Sequence, residues 1–198
     1  MAKKLLLVRH CETAPEYYGK FVGSSDVDLG PAASEQAARL AEVITAGHNP
    51  ELVFCSPMGR ARKTLELMGQ PGLTGKMMVE PDLREIDFGR WEGKSFEEIS
   101  ESDSELVRRW SAWSPEFIFP EGEAVGDFLK RVHRMADRLA ALEKDTVLVV
   151  AHGGVIRAMI CHILRMPPEN YLLFDIKPAH LTTLDVFPEG GVLTGLNL

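Results

Sequence analysis

The feature that most constrains the fold of this chain is a pair of short apolar runs, each followed within two residues by a histidine. Residues 4–8 are followed at once by Arg9 and His10, and residues 146–151 are followed by His152. Unbroken apolar runs of about four to eight residues are typical of strands that are buried on both faces of a parallel sheet. The sequence therefore predicts a buried parallel sheet with polar residues directly after its strands.

Segments with a helical period alternate with the predicted strands. We predict helices over residues 31–46, 59–68, 123–142 and 155–164, with further helical material between 96 and 113. We predict additional strands over residues 51–55, 77–80, 172–176 and 181–187. Alternating strands and helices are typical of the α/β class. The expected fold is a three-layer α/β/α sandwich with a mainly parallel central sheet.

The length of 198 residues suits one domain of ordinary size, so we predict a single domain over residues 1–198. Within it, a helical, cap-like segment is expected from about residue 94 to 120, with the aromatic side chains of Trp110, Trp113, Phe117 and Phe119 near its end. These side chains could cover a groove or pack a small subdomain, and core packing is the interpretation that we prefer.

Composition argues against several classes of partner. The chain has 22 basic and 29 acidic residues, a net charge of −7, and so lacks the basic character of a nucleic-acid-binding protein. Its first apolar run ends at Arg9 and is too short for a signal peptide or a membrane span, which predicts a cytoplasmic protein with no membrane partner. The spacing of the three cysteines indicates neither a disulfide framework nor a zinc site. The oligomeric state is left open, with a homodimer as one alternative.

Polar residues follow three of the predicted strands at the point where each strand ends. Arg9 and His10 follow the first strand, Ser56 and then Arg60 follow the second, and His152 follows the fourth. The carboxyl ends of parallel strands meet at one edge of a sheet, where ligands bind. Guanidinium and imidazole groups gathered there would suit a phosphate or a dianionic carboxylate. Taken singly, each residue has a plainer alternative as a hydrogen-bonded structural histidine or a surface arginine.

Four sequence blocks, in a fixed order, carry a more specific signal. Residues 7–13 resemble an Arg-His-Gly-Glu-Thr signature, and residues 56–64 match the pattern Ser-Pro-x-x-Arg-Ala-x-x-Thr. Residues 83–93 resemble an acidic loop, and residues 152–157 resemble a second histidine block. Together the blocks cover most of the chain and are similar to those of the histidine phosphatase superfamily, also called the phosphoglycerate mutase-like family.

The resemblance implies a role for each matching residue. His10 would be the nucleophile and would form a phosphohistidine intermediate. Arg9, Arg60 and His152 would hold the phosphoryl oxygens and stabilise their charge. Glu85 would protonate the leaving oxygen and then take a proton from the attacking water. No metal ion or cofactor is needed in this scheme, because the arginines supply the positive charge.

The resemblance also implies that the partner is a small-molecule phosphate ester. The expected substrate-binding residues are Arg9, Arg60, His152, Gly153, Glu16, Val22 and Gly23. Within the family, mutases return the phosphoryl group to a sugar acid, whereas phosphatases transfer it to water. Glu16 and Val22 stand where mutases typically have Asn and a hydroxyl residue, and the chain is shorter than typical mutases. We therefore predict a phosphomonoesterase.

Compact phosphatases that the chain resembles include the α-ribazole phosphatases of cobalamin synthesis, so α-ribazole phosphate is one candidate substrate. A cofactor-dependent phosphoglycerate mutase is the first alternative. A non-catalytic regulatory protein that binds a phosphorylated ligand is the second. Cys11 stands where the family usually has Gly, and we hypothesise that its thiol makes the site sensitive to thiol reagents.

Overall fold

A mixed sheet forms the centre of the computed structural model, which describes residues 3–198. The strands are β1 (Lys3–Arg9), β2 (Leu52–Cys55), β3 (Met77–Val79), β4 (Thr146–Ala151), β5 (Leu181–Phe187) and β6 (Gly190–Gly195). Their order across the sheet is β3-β2-β4-β1-β5-β6. The first four in that order run parallel, whereas β5 is antiparallel to β1 and β6 is antiparallel to β5. The prediction of a mainly parallel sheet is confirmed.

Helices cover both faces of this sheet. They are α1 (Ala33–Gly47), α2 (Gly59–Leu67), α3 (Pro71–Thr74), α4 (Phe96–Ser102), α5 (Ser104–Ser111), α6 (Val125–Ala141) and α7 (Gly153–Ile163), with 3-10 turns at Pro15–Tyr17, Pro81–Leu83, Gly89–Trp91 and Pro168–Leu173. Side chains alternate across a strand, so Leu5 and Leu7 of β1 pack with the apolar residues of α6 and α7. Leu6 and Val8 pack with those of α1 and α2 on the opposite face. The three-layer sandwich is therefore confirmed.

Parallel pairing brings the polar strand ends together. Arg9 at the end of β1 is in register with Ala151 at the end of β4, and Cys55 at the end of β2 is in register with Val150. The residues that follow these three neighbouring strands therefore leave the sheet at the same edge. They are His10, Ser56 and His152.

The strand predicted over residues 172–176 is wrong, and the final strand was not predicted. A 3-10 turn at Pro168–Leu173 occupies that region, and its Leu172 and Leu173 are 61% and 72% exposed. Prolines at 167 and 168 favour a turn, and β5 already occupies the place beside β1. Strand β6 contains three glycines in six residues, which weakens the strand signal in the sequence.

Three aromatic residues of the predicted cap, Trp110, Phe117 and Phe119, form one cluster with Phe21, Phe88 and Trp91, whereas Trp113 packs against Tyr171. Trp110 lies with its ring centre 5.8 Å from those of both Phe21 and Trp91, and Phe119 lies 5.4 Å from Trp91. Phe117 and Phe119 are buried, as core packing requires. Among residues 3–198, no helix has the length and apolar character needed to cross a bilayer.

We predict that Gly89→Ala destabilises the fold more than Gly93→Ala does. Both glycines have a positive φ, at 54° and 74°, so each alanine carries a conformational cost of about 1–2 kcal/mol. A Cβ at position 89 would also overlap the carbonyl oxygen of Pro120, whereas a Cβ at position 93 has no atom within 4 Å. The overlap adds about 1–3 kcal/mol. Urea unfolding measures both losses, and equal losses would contradict the predicted backbone clash.

Candidate active site

The end of β1 places Arg9 and His10 at the sheet edge. The Arg9 Nη1 donates to the carbonyl oxygen of Ile176 at 2.6 Å, which fixes the guanidinium against the loop before β5. His10 is 6% exposed, and its Nδ1 lies 2.7 Å from the carbonyl oxygen of Cys11. A carbonyl only accepts hydrogen bonds, so Nδ1 carries the proton and Nε2 keeps its lone pair. His10 is thus held as a neutral imidazole with Nε2 available for attack.

Arg60, in the first turn of α2, is almost fully buried at 1% exposure. Its Nη1 and Nη2 donate to the carbonyl oxygens of Ser25 and Gly23, at 2.7 and 2.6 Å. The same loop is held from the other side by Glu92, whose carboxylate accepts from the N–H groups of Gly23 and Ser24. Arg60 therefore fixes the loop of residues 23–25 beside the site.

His152 follows β4 and precedes α7, with a fully buried ring whose centre lies 5.1 Å from that of His10. Its Nε2 is 2.7 Å from the Ser56 hydroxyl. That hydroxyl accepts from the N–H of Met58, so its own proton is free to be donated to Nε2. With the hydroxyl as the donor, the proton of His152 lies on Nδ1, where it can be donated to a ligand.

Burial lowers the pKa of both histidines well below the ordinary value. Desolvation is the larger cause for His10 and His152, and the positive charge of Arg60 acts in the same direction. Burial also lowers the pKa of Arg9 and of Arg60, while the negative charge of Glu85 raises both. The site therefore combines two neutral imidazoles with the buried guanidinium of Arg60 and the partly buried guanidinium of Arg9.

Three buried side-chain nitrogen atoms, within residues 3–198, have no hydrogen-bond partner. They are Nε of Arg9, Nε of Arg60 and Nδ1 of His152. Buried N–H groups without a partner are unfavourable, and an anion with several oxygens would satisfy such a set. In the same part of the chain, no group of three or more His, Cys, Asp and Glu side chains is arranged to hold a metal ion. The arrangement fits a phosphoryl group.

Glu85 is a buried acid, 9% exposed, that faces the start of α7. One carboxylate oxygen accepts from the N–H of Gly154 at 2.9 Å, and the other accepts from the N–H of Ile86 at 3.1 Å. A Cβ at position 154 would lie 2.5 Å from the Glu85 Oε1, so this close approach requires glycine. The second glycine after His152 therefore makes room for the acid.

Two cavities of about 310 Å³ each open at this edge and share part of their walls. The first, which we call the polar cavity, includes Arg9, His10 and Glu85 in its wall. The second, the aromatic cavity, has seven aromatic side chains in its wall: Phe21, Phe88, Trp110, Trp113, Phe119, Phe128 and Tyr171. Both walls contain Arg9, Gly19, Lys20, Val22 and Glu85. A ligand at His10 would therefore have an apolar chamber beside it.

The site brings together most of the residues predicted from sequence. Val22 lines both cavities and Gly153 lines the aromatic one, whereas the more deeply buried Arg60 and His152 line neither. Glu16 is exposed and lines neither cavity, so it stands apart from the predicted set. Gly23 contributes its carbonyl oxygen to Arg60 and has no place in either wall.

Sequence reasoning missed Lys20 and Tyr171 as lining residues. Lys20 lies in a loop without a periodic pattern, and no signal in the sequence distinguishes it from other surface lysines. Tyr171 lies in the 3-10 turn where the chain reaches the aromatic cavity. Because a strand was predicted over residues 172–176, the contact of Tyr171 with the aromatic cavity was not predicted.

Cys11 is fully buried, and its N–H donates to the Thr64 hydroxyl at 2.9 Å. The thiol faces the carbonyl oxygen of Ala33, and burial raises its pKa. A buried thiol with a raised pKa forms little reactive thiolate. This environment argues against the hypothesis that Cys11 makes the site sensitive to thiol reagents.

Comparison with known proteins identifies the family. The model of the histidine phosphatase superfamily (branch 1) matches residues 5–198. The chain belongs to this superfamily. The resemblance that the four sequence blocks indicated is thereby confirmed over nearly the whole chain.

Several relatives of this histidine phosphatase carry phosphatase names. A putative phosphoserine phosphatase 2 of Hydrogenobacter thermophilus is 30% identical over 98% of this chain and 95% of its own length. An adenosylcobalamin/α-ribazole phosphatase of Escherichia coli is 29% identical over 98% and 95%. The crystal structure of a putative α-ribazole-5'-P phosphatase from Escherichia coli superposes with a TM-score of 0.88, at 28% identity, over 100% of this chain and 97% of the other. This histidine phosphatase is a phosphoric monoester hydrolase, as predicted.

We predict that the free energy of unfolding falls as the pH decreases below about 6.5, the ordinary pKa of histidine. In that range the unfolded chain binds protons that the buried His10 and His152 do not, which favours the unfolded state. Each histidine contributes up to about 1.4 kcal/mol per pH unit. Urea unfolding between about pH 6.5 and 5.5 should show a smaller slope for His10→Gln than for the wild type. Identical slopes would contradict the lowered pKa, because they would mean that His10 binds protons equally in the folded and unfolded states.

Proposed function

We propose that His10 attacks the phosphorus atom of a small phosphate monoester through Nε2. The Nε2–phosphorus bond forms as the bond to the alcohol oxygen breaks, and a protonated Glu85 gives its proton to the leaving alcohol. Water then attacks the phosphohistidine, Glu85 takes the proton from that water, and His10 leaves with its electron pair. A phosphohistidine intermediate is typical of this superfamily.

The observation that carries this proposal is the set of three unpartnered donors around His10. Nε of Arg9, Nε of Arg60 and Nδ1 of His152 would each donate to a phosphoryl oxygen. The site is buried, so these interactions are stronger than in water, and the donors are already held in place. The alcohol would lie in the adjoining cavity, where Glu85 lines the wall.

We further propose that the alcohol carries an apolar ring, as α-ribazole phosphate does. Seven aromatic side chains line the chamber that adjoins the polar cavity. Flat apolar groups stack on such side chains, which stabilises binding by about 0.5–1.5 kcal/mol per aromatic pair beyond burial of area. We also propose that residues 94–120 form a cap over the bound alcohol. Trp110 and Trp113 from that segment form part of the cavity wall.

Phosphoserine is the second candidate substrate. Arg157 and Lys20 line the aromatic cavity, and either could pair with a carboxylate. The relative from Hydrogenobacter thermophilus carries the name phosphoserine phosphatase. A panel of test substrates therefore needs both α-ribazole phosphate and phosphoserine.

We expect His10→Gln to lower kcat for 4-nitrophenyl phosphate by about three orders of magnitude or more, because the nucleophile is lost. In the wild type, an alkaline quench during turnover should preserve a phosphorylated peptide that contains His10. His180→Gln is the matched control, because His180 lies in neither cavity wall and should keep turnover and phosphorylation. Unchanged turnover in His10→Gln would contradict the proposed mechanism. Isomerisation of 3-phosphoglycerate faster than its hydrolysis would instead favour the mutase alternative.

We expect kcat/KM to be higher for α-ribazole phosphate than for phosphoserine or 3-phosphoglycerate. Trp113→Leu should lower kcat/KM about tenfold for α-ribazole phosphate, because a stacking surface is lost, and less than about twofold for phosphoserine. Phe96→Leu is the control in the same segment, since Phe96 is 48% exposed and lines neither cavity. A preference for phosphoserine with no effect of Trp113→Leu would contradict the proposed substrate class.

A further inference from the structure

Arg131, in the middle of α6, is a buried arginine outside both cavity walls, with a side chain 8% exposed. Its Nη1 donates to the carbonyl oxygens of Asp82 and Arg84, at 2.9 and 2.6 Å, and its Nη2 donates to that of Glu85 at 3.0 Å. Nε and Nη2 also donate to the two carboxylate oxygens of Glu123, at 2.8 and 2.9 Å. A guanidinium has five N–H groups, and all five have an acceptor here.

Glu123 holds the next part of the same loop. The N–H of Glu123 donates to the carbonyl oxygen of Asp87 at 2.9 Å, and the N–H of Asp87 donates back to the Glu123 carboxylate at 3.3 Å. Arg131 therefore binds the backbone up to Glu85, and Glu123 binds the backbone two residues later. The ion pair between them joins the two attachments.

The Glu85 carboxylate has only backbone hydrogen-bond partners among residues 3–198. They are the N–H groups of Ile86 and Gly154. Because no side chain orients this carboxylate, its position depends on the path of the backbone on either side of Glu85. That path is the part of the chain that Arg131 and Glu123 hold.

We propose that Arg131, paired with Glu123, is the positioning residue that places Glu85 for proton transfer to the leaving alcohol. The inference rests on the role of Glu85 in the proposed function. A displacement of about 1 Å at a reacting group is enough to lower a rate about a hundredfold. A purely structural ion pair would instead affect all substrates to the same degree.

The test compares two esters that both carry an apolar ring and differ in the leaving group. 4-Nitrophenolate is a stable anion that leaves without a proton, whereas the alcohol of benzyl phosphate must be protonated as it leaves. The measured quantity is kcat/KM, which depends only on the steps up to and including the first irreversible step. Arg131→Lys should lower kcat/KM for benzyl phosphate about 10–100-fold and that for 4-nitrophenyl phosphate less than about threefold.

Arg134→Lys is the matched control. Arg134 lies one turn further along α6 and binds the same loop through the Asp82 carboxylate, but its side chain is 65% exposed and does not touch Glu85. Both kcat/KM values should stay within about twofold of the wild type in this variant. An equal loss on both esters in Arg131→Lys would overturn the inference.

Glu85→Gln separates failure of this inference from failure of the proposed function. If Glu85→Gln lowers kcat/KM selectively for benzyl phosphate and Arg131→Lys does not, the inference about Arg131 alone is wrong. If Glu85→Gln shows no selectivity, the acid role of Glu85 is wrong and the inference falls with it.

Glu123→Gln provides a second variant in case Arg131→Lys does not fold. It keeps the size of the side chain and removes the charge that faces Arg131. A selective loss on benzyl phosphate, smaller than that of Glu85→Gln, supports the positioning role. An equal loss on both esters overturns it.

Discussion

The site depends on keeping four basic side chains close together and out of water. His10 and His152 meet this constraint by staying neutral, since burial and the nearby arginines lower the pKa of both. Arg9 and Arg60 meet it by donating to backbone carbonyl oxygens and by lying near the charge of Glu85. Like charges in a medium of low dielectric repel strongly, so this compensation is necessary.

The compensation also explains why distant parts of the chain meet at one edge of the sheet. The carbonyl oxygens that bind the two arginines come from Gly23, Ser25 and Ile176, which lie in loops. The bond from Arg9 ties one loop to the end of β1, and the two bonds from Arg60 tie another loop to the first turn of α2. The loops therefore help to stabilise the charges of the two arginines and also form walls of the cavities.

Strand ends were the most predictable part of the molecule. Strand β4 matches its prediction residue for residue, because an apolar run buried on both faces has few other structures available. Arg9, His10, Arg60, Glu85 and His152 could be assigned from the sequence because each lies in one of the four blocks. Arg9, His10 and His152 lie at the ends of sheet strands, whereas Arg60 in α2 and Glu85 in a loop were assigned from their blocks alone.

Loops were less predictable because their shape is decided by partners far away in sequence. Leu172 and Leu173 form a short apolar run that suits a strand, yet they lie exposed in a turn after two prolines. Glu16 was expected at the site because it stands where mutases typically have Asn, but the 3-10 turn at Pro15–Tyr17 leaves it exposed. Local sequence patterns indicate which side chains are buried and whether a segment has a helical or a strand period. Neither property indicates which part of the structure a loop packs against.

The aromatic side chains of the aromatic cavity come from segments that take no part in binding the phosphoryl group. Phe21, Phe88, Trp110, Trp113 and Tyr171 belong to connections between strands, whereas His10 and His152 follow β1 and β4. Substitutions in those connections can change which alcohols are accepted while leaving the reaction intact. The fold therefore places the reaction and the choice of alcohol on separate parts of the chain, so that one can be altered by substitution while the other is kept.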